Sequence, residues 1–276
     1  MPALLPALAL ALLLSGPMCT HAAELPIFDA HIHYNHDAWK SVSPKEAIAL
    51  LRKAGIVRTL VSSSSDEGTQ KLYAEAPDLI IPELRPYRKN GESTTWFHDE
   101  SIIDYLEERL KQYAYVAIGE FHVSGADADL PVVQRTVQLA KQHGLMLHAH
   151  SDADAVERLF RQDPDARIIW AHAGYEPPLR VREMLRRYKN LWAELSSRND
   201  VSVNGRVVAE WHDIFLELAD RFMIGTDTHA PERWNVIGSN ANLERDWLAG
   251  LPAEVAERIA YKNGEAVLTA EFSKRR

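Results

Sequence analysis

Cysteine is almost absent, since the 276-residue chain contains a single one, Cys19. It lies in residues 1–23, which hold no Asp, Glu, Lys or Arg, have an apolar centre from Leu4 to Leu14, and end in small residues. This composition predicts a cleaved secretory signal with an apolar core too short for a stable membrane anchor. An uncleaved anchor is the alternative, because no basic side chain precedes that core. Residues 24–276 would then be a periplasmic or secreted protein without disulfides.

Basic residues are outnumbered, with 31 Lys and Arg against 39 Asp and Glu, which gives a net charge of -8 and a pI near 5.8. This balance argues against nucleic acid or an anionic membrane as the main partner. The chain is 46% hydrophobic and 25% charged, which is typical of one soluble domain with a large core. We therefore expect a small-molecule ligand, and no membrane contact after cleavage of the signal.

No Gly-rich phosphate loop follows the first apolar run, which weakens the case for a doubly wound open sheet. Instead, eight mostly apolar, strand-like runs alternate with helical segments. Such runs suit parallel strands that are buried on both faces, and their number predicts a closed (β/α)8 TIM barrel, a single domain of class α/β over residues 24–276. The runs are PIFDAHIH, VRTLVSS, LIIPEL, YVAIGEFHV, LMLHAH, ARIIWAHAG, LWAELSS and RFMIGTD.

Helix boundaries are also marked in the sequence. In SPKEAIALLRKAG, Ser43 and Glu46 predict a capping box, Pro44 occupies the first helical position, and Gly55 ends the helix. The segment GRVVAEWHDIFLELA, residues 205–219, predicts a helix before the last strand. These elements place the ends of the predicted strands at defined positions.

Histidine and carboxylate side chains recur where the predicted strands end. In a TIM barrel the carboxyl ends of the strands form the active-site face. Imidazole and carboxylate groups are ligands of divalent zinc, manganese and iron, so their convergence on one mouth predicts a metal site. These residues are His31 and His33 on strand 1, Glu120 and His122 on strand 4, His148 and His150 on strand 5, His172 on strand 6, and Asp227 and His229 on strand 8.

The order of these motifs resembles the amidohydrolase superfamily of metal-dependent hydrolases, in particular its amidohydrolase-related branch. The motifs are FDAHIH, AIGEFH, MLHAH, IIWAHAG and MIGTDTH, and the resemblance runs from Phe28 to the segment AYKNGEAVL. It is carried by the combination of HxH on strand 1, His before Ala-Gly on strand 6, and Gly-Thr-Asp on strand 8. A homodimer is a further expectation that comes from the family alone.

The resemblance implies that a divalent metal, with zinc as the first choice and manganese or iron as alternatives, is bound by His31, His33 and Asp227. His148 is the implied strand 5 ligand, and His150 is expected beside the substrate or behind the ligands.

The number of metal ions decides two further roles. With one ion, His172 polarises the substrate or moves a proton. With two ions, His148 and His172 hold the second one, and Glu120 bridges the pair. A salt bridge inside the mouth is the alternative role for Glu120.

The chemistry implied by the resemblance is hydrolysis of an amide, ester or lactone. A bound divalent ion lowers the pKa of its water from 15.7 toward roughly 7 and polarises the scissile carbonyl. Asp227 would accept the proton of the water and return it to the leaving group, and His172 would stabilise the oxyanion. The alternatives are a metal-dependent non-oxidative decarboxylase, a TatD-like nuclease, and a non-catalytic periplasmic protein that binds a metal or a ligand.

Substrate contacts are expected from the loops at the mouth. Arg85 follows strand 3 and would suit a substrate carboxylate, because its guanidinium binds carboxylates in pairs of hydrogen bonds. An ion pair with an acid of the protein is the alternative role for this arginine. His122, His150 and His229 complete the predicted substrate-binding set. The loop YRKNGESTTWFHDE is predicted to form a lid that bears Trp96.

Overall fold

The structure is a computed structural model that describes residues 24–275. The predicted signal segment, residues 1–23 with Cys19, lies outside the described residues. Within residues 24–275 no helix has both the length and the apolar character that crossing a membrane requires.

Parallel strands form the centre of the protein. Strands β1–β3 make one sheet, and β4–β7 with β10 make a second. Bridges from Ile32 to Thr228 and from Leu84 to Ile118 join the two sheets into a closed barrel. The predicted eight-stranded barrel is therefore confirmed. The strands are β1 (Ile27–Ile32), β2 (Ile56–Val61), β3 (Ile80–Pro82), β4 (Ala117–His122), β5 (Met146–His150), β6 (Ile168–Trp170), β7 (Leu191–Glu194), β8 (Ser202–Val203), β9 (Arg206–Val207) and β10 (Phe222–Met223).

Helices follow the barrel strands and cover their outer faces. The first begins as predicted, with the capping box between Ser43 and Glu46, Pro44 in the first turn, and Gly55 at φ +68° after its end. The helices are α1 (Pro44–Lys53), α2 (Glu67–Glu75), α3 (Ser101–Gln112), α4 (Pro131–His143), α5 (Ala153–Gln162), α6 (Pro178–Arg187), α7 (Ala209–Glu217), α8 (Pro231–Trp234), α9 (Ile237–Leu248), α10 (Ala253–Glu257) and α11 (Ala270–Ser273). Two π-helical segments, Arg258–Lys262 and Glu265–Thr269, lie between α10 and α11.

The helix predicted over residues 205–219 starts later than expected, at Ala209. Gly205, Arg206 and Val207 instead form the end of the turn and the second strand of the antiparallel hairpin of β8 and β9. Asn204 and Gly205 make the turn with φ values of +52° and +72°, and an Asn-Gly pair with positive φ at both residues is typical of a tight hairpin turn. The local turn chemistry therefore overrides the helical pattern here.

Two buried apolar clusters hold the fold together. The larger one fills the space between the barrel strands and the helices. The smaller cluster, which we call the barrel plug, draws residues from β1 to β6 and from β10, and the C-terminal helical segment adds Leu268 and Phe272. Because it collects side chains from strands all around the barrel, it fills the barrel interior. Its members are Phe28, Ala30, Leu60, Ile81, Val116, Ala117, Met146, Ile169, Met223, Leu268 and Phe272.

Candidate metal centre

The two histidines of β1 are held in one tautomer by their neighbours. The Nδ1 atom of His31 lies 2.9 Å from a carboxylate oxygen of Glu194, and Nδ1 of His33 lies 2.7 Å from the backbone carbonyl of Ser62. Both acceptors require a proton on Nδ1, which leaves a lone pair on each Nε2 atom when the ring is neutral. A histidine that donates through one ring nitrogen to a carboxylate or carbonyl is prepared to bind a metal through the other.

The free nitrogens of these rings converge with two carboxylates. Nε2 of His31 lies 3.1 Å from Nε2 of His33, and both lie 3.3–3.4 Å from Oε2 of Glu120 and 3.5–3.7 Å from Oδ1 of Asp227. A tetrahedral metal with ligands at about 2.0–2.1 Å has ligand-to-ligand distances of about 3.4 Å. Two lone pairs that face each other at this separation repel unless a cation lies between them. The donor set therefore fits a divalent metal ion.

Glu120, at the end of β4, lies between two groups of donors. Its Oε2 belongs to the group just described, whereas Oε1 lies 2.8 Å from Nδ1 of His150 and 3.7 Å from Nε2 of His172. Arg85 donates to Oε2 at 2.7 Å and to the Glu120 backbone carbonyl at 3.1 Å. One carboxylate oxygen for each donor group is the arrangement that a bridging ligand needs. The ion pair with Arg85 is a salt bridge inside the mouth, which was the alternative role for Glu120.

The two histidines of β5 lie at different depths. His148 is fully buried, its Nδ1 lies 3.1 Å from Glu83, and its Nε2 has no hydrogen-bond partner among the described residues. An orphaned, buried ring nitrogen is what a metal ligand shows before the ion is added. His150 lies nearer the mouth and joins Glu120 and His172 in the second donor group. The ligand role of His148 thus stays a prediction, and His150 is a second candidate that the sequence placed beside the substrate.

His172 follows β6 in an unusual turn. His172, Ala173, Gly174 and Tyr175 have φ values of 55°, 48°, 64° and 54°, all in the left-handed region. A side chain on Gly174 would collide with the indole of Trp170 at 2.4 Å, so only glycine fits there. Nδ1 of His172 lies 2.8 Å from the backbone carbonyl of Ser196, which again leaves Nε2 for chemistry.

Glu194, at the end of β7, was not predicted from the sequence. Its fully buried carboxylate accepts from Nδ1 of His31, from the hydroxyl of Ser196 at 2.9 Å, and from the backbone N–H groups of His172 and Ser196. It therefore connects a β1 histidine with the β6 turn. Glu83, at the end of β3, supports His148 in the same way. Both are acids at the carboxyl ends of barrel strands, and that rule alone would have found them.

Electrostatics favour positive charge at the centre. Burial lowers the pKa of His31, but the carboxylates of Glu120 and Glu194 outweigh it and raise that pKa well above its usual range. Burial raises the pKa of Glu194, yet the neighbouring His31 dominates and brings it to about 2. Burial also acts against ionisation of Asp227, whose pKa is nevertheless lowered by its neighbours His229, His33 and His31. The carboxylates are ionised and attract a cation.

A cavity of about 300 Å³ opens directly above these donors. The four predicted substrate-binding residues, Arg85, His122, His150 and His229, all line it. Burial lowers the pKa of His122 to about 3, so its ring is neutral, and the Tyr87 hydroxyl lies 2.8 Å from its Nδ1.

The loop after β3 contributes Lys89, Asn90, Gly91 and Ser93 to the cavity wall. Trp96 does not line the cavity, contrary to the predicted lid. Its indole is buried and donates to the His122 backbone carbonyl at 2.8 Å, because an indole of that size is better satisfied in the core with its N–H paired. The tryptophan therefore anchors the loop.

The chain is similar to known proteins in sequence and in structure. A family model described as Amidohydrolase matches residues 94–269, more than half of the chain. An uncharacterized TIM-barrel protein from Bordetella bronchiseptica has a similar structure, with a TM-score of 0.63, 13% identity, and coverage of 90% of this chain and 100% of its own. No curated protein sequence matches this one.

Two further solved structures share the fold. A probable 2-pyrone-4,6-dicarboxylic acid hydrolase from Acinetobacter baumannii has a TM-score of 0.60 and 12% identity, over 88% of this chain and 99% of its own. A TatD homologue from Escherichia coli has a TM-score of 0.61 and 17% identity, over 88% of this chain and 98% of its own. At these identities the likeness concerns the fold.

Proposed function

Because the chain belongs to the amidohydrolase family, we propose that it hydrolyses an amide, ester or lactone bond of a small molecule with a water activated at bound divalent metal. The observation that carries this proposal is the convergence of Nε2 of His31 and His33 on oxygens of Glu120 and Asp227 within 3.1–3.7 Å. His33, Glu120 and Asp227 line the cavity, where a small substrate can reach them.

The donor set divides into two candidate sites. His31, His33 and Asp227 would hold a first ion, and His172 with His148 or His150 would hold a second, with Glu120 shared. Zinc is our first choice for the metal, because nitrogen-rich sites with carboxylate oxygens suit it. When bound, the metal supplies an activated water at neutral pH and a Lewis acid for the scissile carbonyl.

The protein's own side chains carry the proton and the developing charge. Asp227 lies beside Nε2 of both β1 histidines, and its Oδ1 is within 3.2 Å of Nδ1 of His229. Its carboxylate would accept the proton of the attacking water and donate it to the leaving group. His172 would stabilise the oxyanion where it is not a ligand. Arg85 holds Glu120 in place through two hydrogen bonds.

The proposal is tested by metal analysis and a substrate screen. The purified protein is stripped with a chelator, reloaded with zinc or manganese, and assayed against lactones, esters, amides and DNA, with carbon dioxide release followed for aromatic carboxylates. We expect one or two ions per chain and hydrolysis that disappears with the metal and returns with it. Carbon dioxide release, cleavage of DNA, or metal binding without any turnover would each contradict the proposal in favour of a decarboxylase, a nuclease or a binding protein.

A further inference from the structure

The side chains that line the cavity are polar or aromatic. Among the described residues that line it, none is aliphatic, and the aromatic ones are histidines and the tyrosines Tyr87 and Tyr175. Small-molecule sites are usually lined mainly by apolar side chains, with only a few polar groups for orientation. This cavity therefore offers no aliphatic side chain to a substrate and several hydrogen-bond donors to a charged one.

The charges of the wall are unevenly distributed. Its acids are Glu120 and Asp227, both of which belong to the metal donor groups. Its fixed cations are Arg85, which Glu120 already engages, and Lys89, whose side chain forms no ion pair within residues 24–275. Away from the metal donors the wall thus carries positive charge without a partner, although the whole chain has a net charge of -8. Such a local field attracts anions into the cavity.

The backbone that carries Lys89 is braced. The buried carboxylate of Glu92 accepts from the backbone N–H of Arg88 at 2.6 Å and of Lys89 at 3.3 Å. The guanidinium of Arg88 is occupied by Glu92 at 3.0 Å and by Asp99 at 2.5 Å. The neighbouring arginine is therefore neutralised, and Lys89 alone presents free charge from a backbone that needs little further ordering on binding.

We propose that the substrate carries an anionic group remote from the scissile bond, a carboxylate in our assignment, and that Lys89 binds it. This inference rests on the proposed function and names the substrate class of the same site. The cavity volume of about 300 Å³ limits the substrate to a small molecule, with the scissile bond at the metal donors and the anion at Lys89. Lys89 is thus a specificity-determining residue, and the metal centre itself does not depend on it.

A binding experiment tests this without requiring turnover. Zinc-loaded protein is titrated by calorimetry with the dicarboxylates malonate to adipate and with the matching monoamides, in which one carboxylate is replaced by a neutral group. We expect the best dicarboxylate to bind at least tenfold more tightly than its monoamide, and Lys89→Gln to remove about tenfold of that difference. Lys45→Gln, an exposed lysine of α1 without an ion pair, is the matched control and should change nothing.

The outcomes separate this inference from the proposed function. No preference for the dicarboxylate, or an equal effect of Lys89→Gln on both ligands, overturns the role of Lys89 even if the protein hydrolyses neutral esters. A preference lost in Lys89→Gln supports it even if the screen yields no hydrolysis. Alkyl phosphonates of the same length form a further arm, and tighter binding of these than of the carboxylates overturns the carboxylate assignment.

Discussion

At its amino-terminal end the barrel is filled by the apolar plug, whereas at its carboxyl-terminal end the same strands present histidines and carboxylates. The side chains of the plug are apolar, so they contribute to stability through burial. The metal centre buries ionisable groups, each of which costs free energy unless a partner compensates it. One end of the barrel therefore supports the fold, while the other is ordered by hydrogen bonds and holds the donors of the proposed metal site.

The largest effect should come from Asp227→Asn, which leaves an uncharged side chain of the same shape at the metal centre. We expect kcat to fall by about 10³-fold, since a general base of this kind contributes about 10²–10⁴-fold. The thermal midpoint should change little, because the plug is untouched. Steady-state kinetics and calorimetry on metal-replete protein test this, and full activity of the variant would contradict the assignment.

Phe28→Ala changes the apolar plug and leaves the metal donors untouched. The buried ring packs in the plug, so close to Gly264 that a methyl group there would lie 2.3 Å from it. Removing it should lower the free energy of unfolding by about 3–5 kcal/mol, measured by urea denaturation. Zinc affinity of the folded variant should match that of wild type. Phe28→Leu is the control and should lose under about 1.5 kcal/mol, and a large loss of metal affinity in either variant would show that the two ends are coupled.

Glu194→Gln tests the hydrogen bonding that orients His31 at the polar end of the barrel. The amide can still accept from Ser196, but it no longer provides the negative charge that fixes Nδ1–H of His31. We expect zinc affinity to fall about 10–100-fold, as for other residues that orient metal ligands. Competition with a chromophoric chelator measures this, with the exposed Glu75→Gln as control. Unchanged affinity would mean that Glu194 only packs.

A smaller, pH-dependent effect is expected at Glu244 of α9, whose carboxylate accepts from the Trp247 indole at 2.7 Å. Burial raises its pKa from 4.5 to about 8. The folded state therefore retains a proton that the unfolded state loses above pH 4.5, and stability falls as the pH rises toward 8. Glu244→Gln should remove this loss. On going from pH 4 to pH 8, the free energy of unfolding of the variant should rise relative to that of the wild type by at least about 1 kcal/mol. If the thermal midpoints of the two proteins changed with pH in the same way, this prediction would be contradicted.

Much of the fold was predictable because local signals agree with it. The apolar runs gave eight barrel strands, and the capping box at Ser43 and Glu46 placed the first helix. The family resemblance and the prediction of a metal-dependent hydrolase are confirmed by the family match. The hairpin at Asn204 and Gly205 was not predicted, because Gly205 and the residues after it fall in the segment predicted as a helix.

The predicted site was less complete, for a physical reason. The sequence shows which residues end strands, so His31, His33, Glu120 and Asp227 could be expected together. It does not show the partners of the Nδ1 atoms, since Glu194 lies 163 positions from His31 along the chain. The sequence also does not show which of His148 and His150 lies deeper below the mouth of the barrel. The roles of all these residues in metal binding and catalysis stay predictions until they are measured.

The loop after β3 is held mainly by contacts within itself, which makes it suitable for engineering. Its bracing contacts join Arg88 to Glu92 and Asp99, which lie in the loop itself, and to Ser101 at the start of α3. The segment between residues 87 and 100 is thus a nearly self-contained module seated on the barrel, with Trp96 as its anchor. Exchanging Lys89 and Asn90 within that module offers a route to variants with new substrate preferences from an unchanged catalytic scaffold.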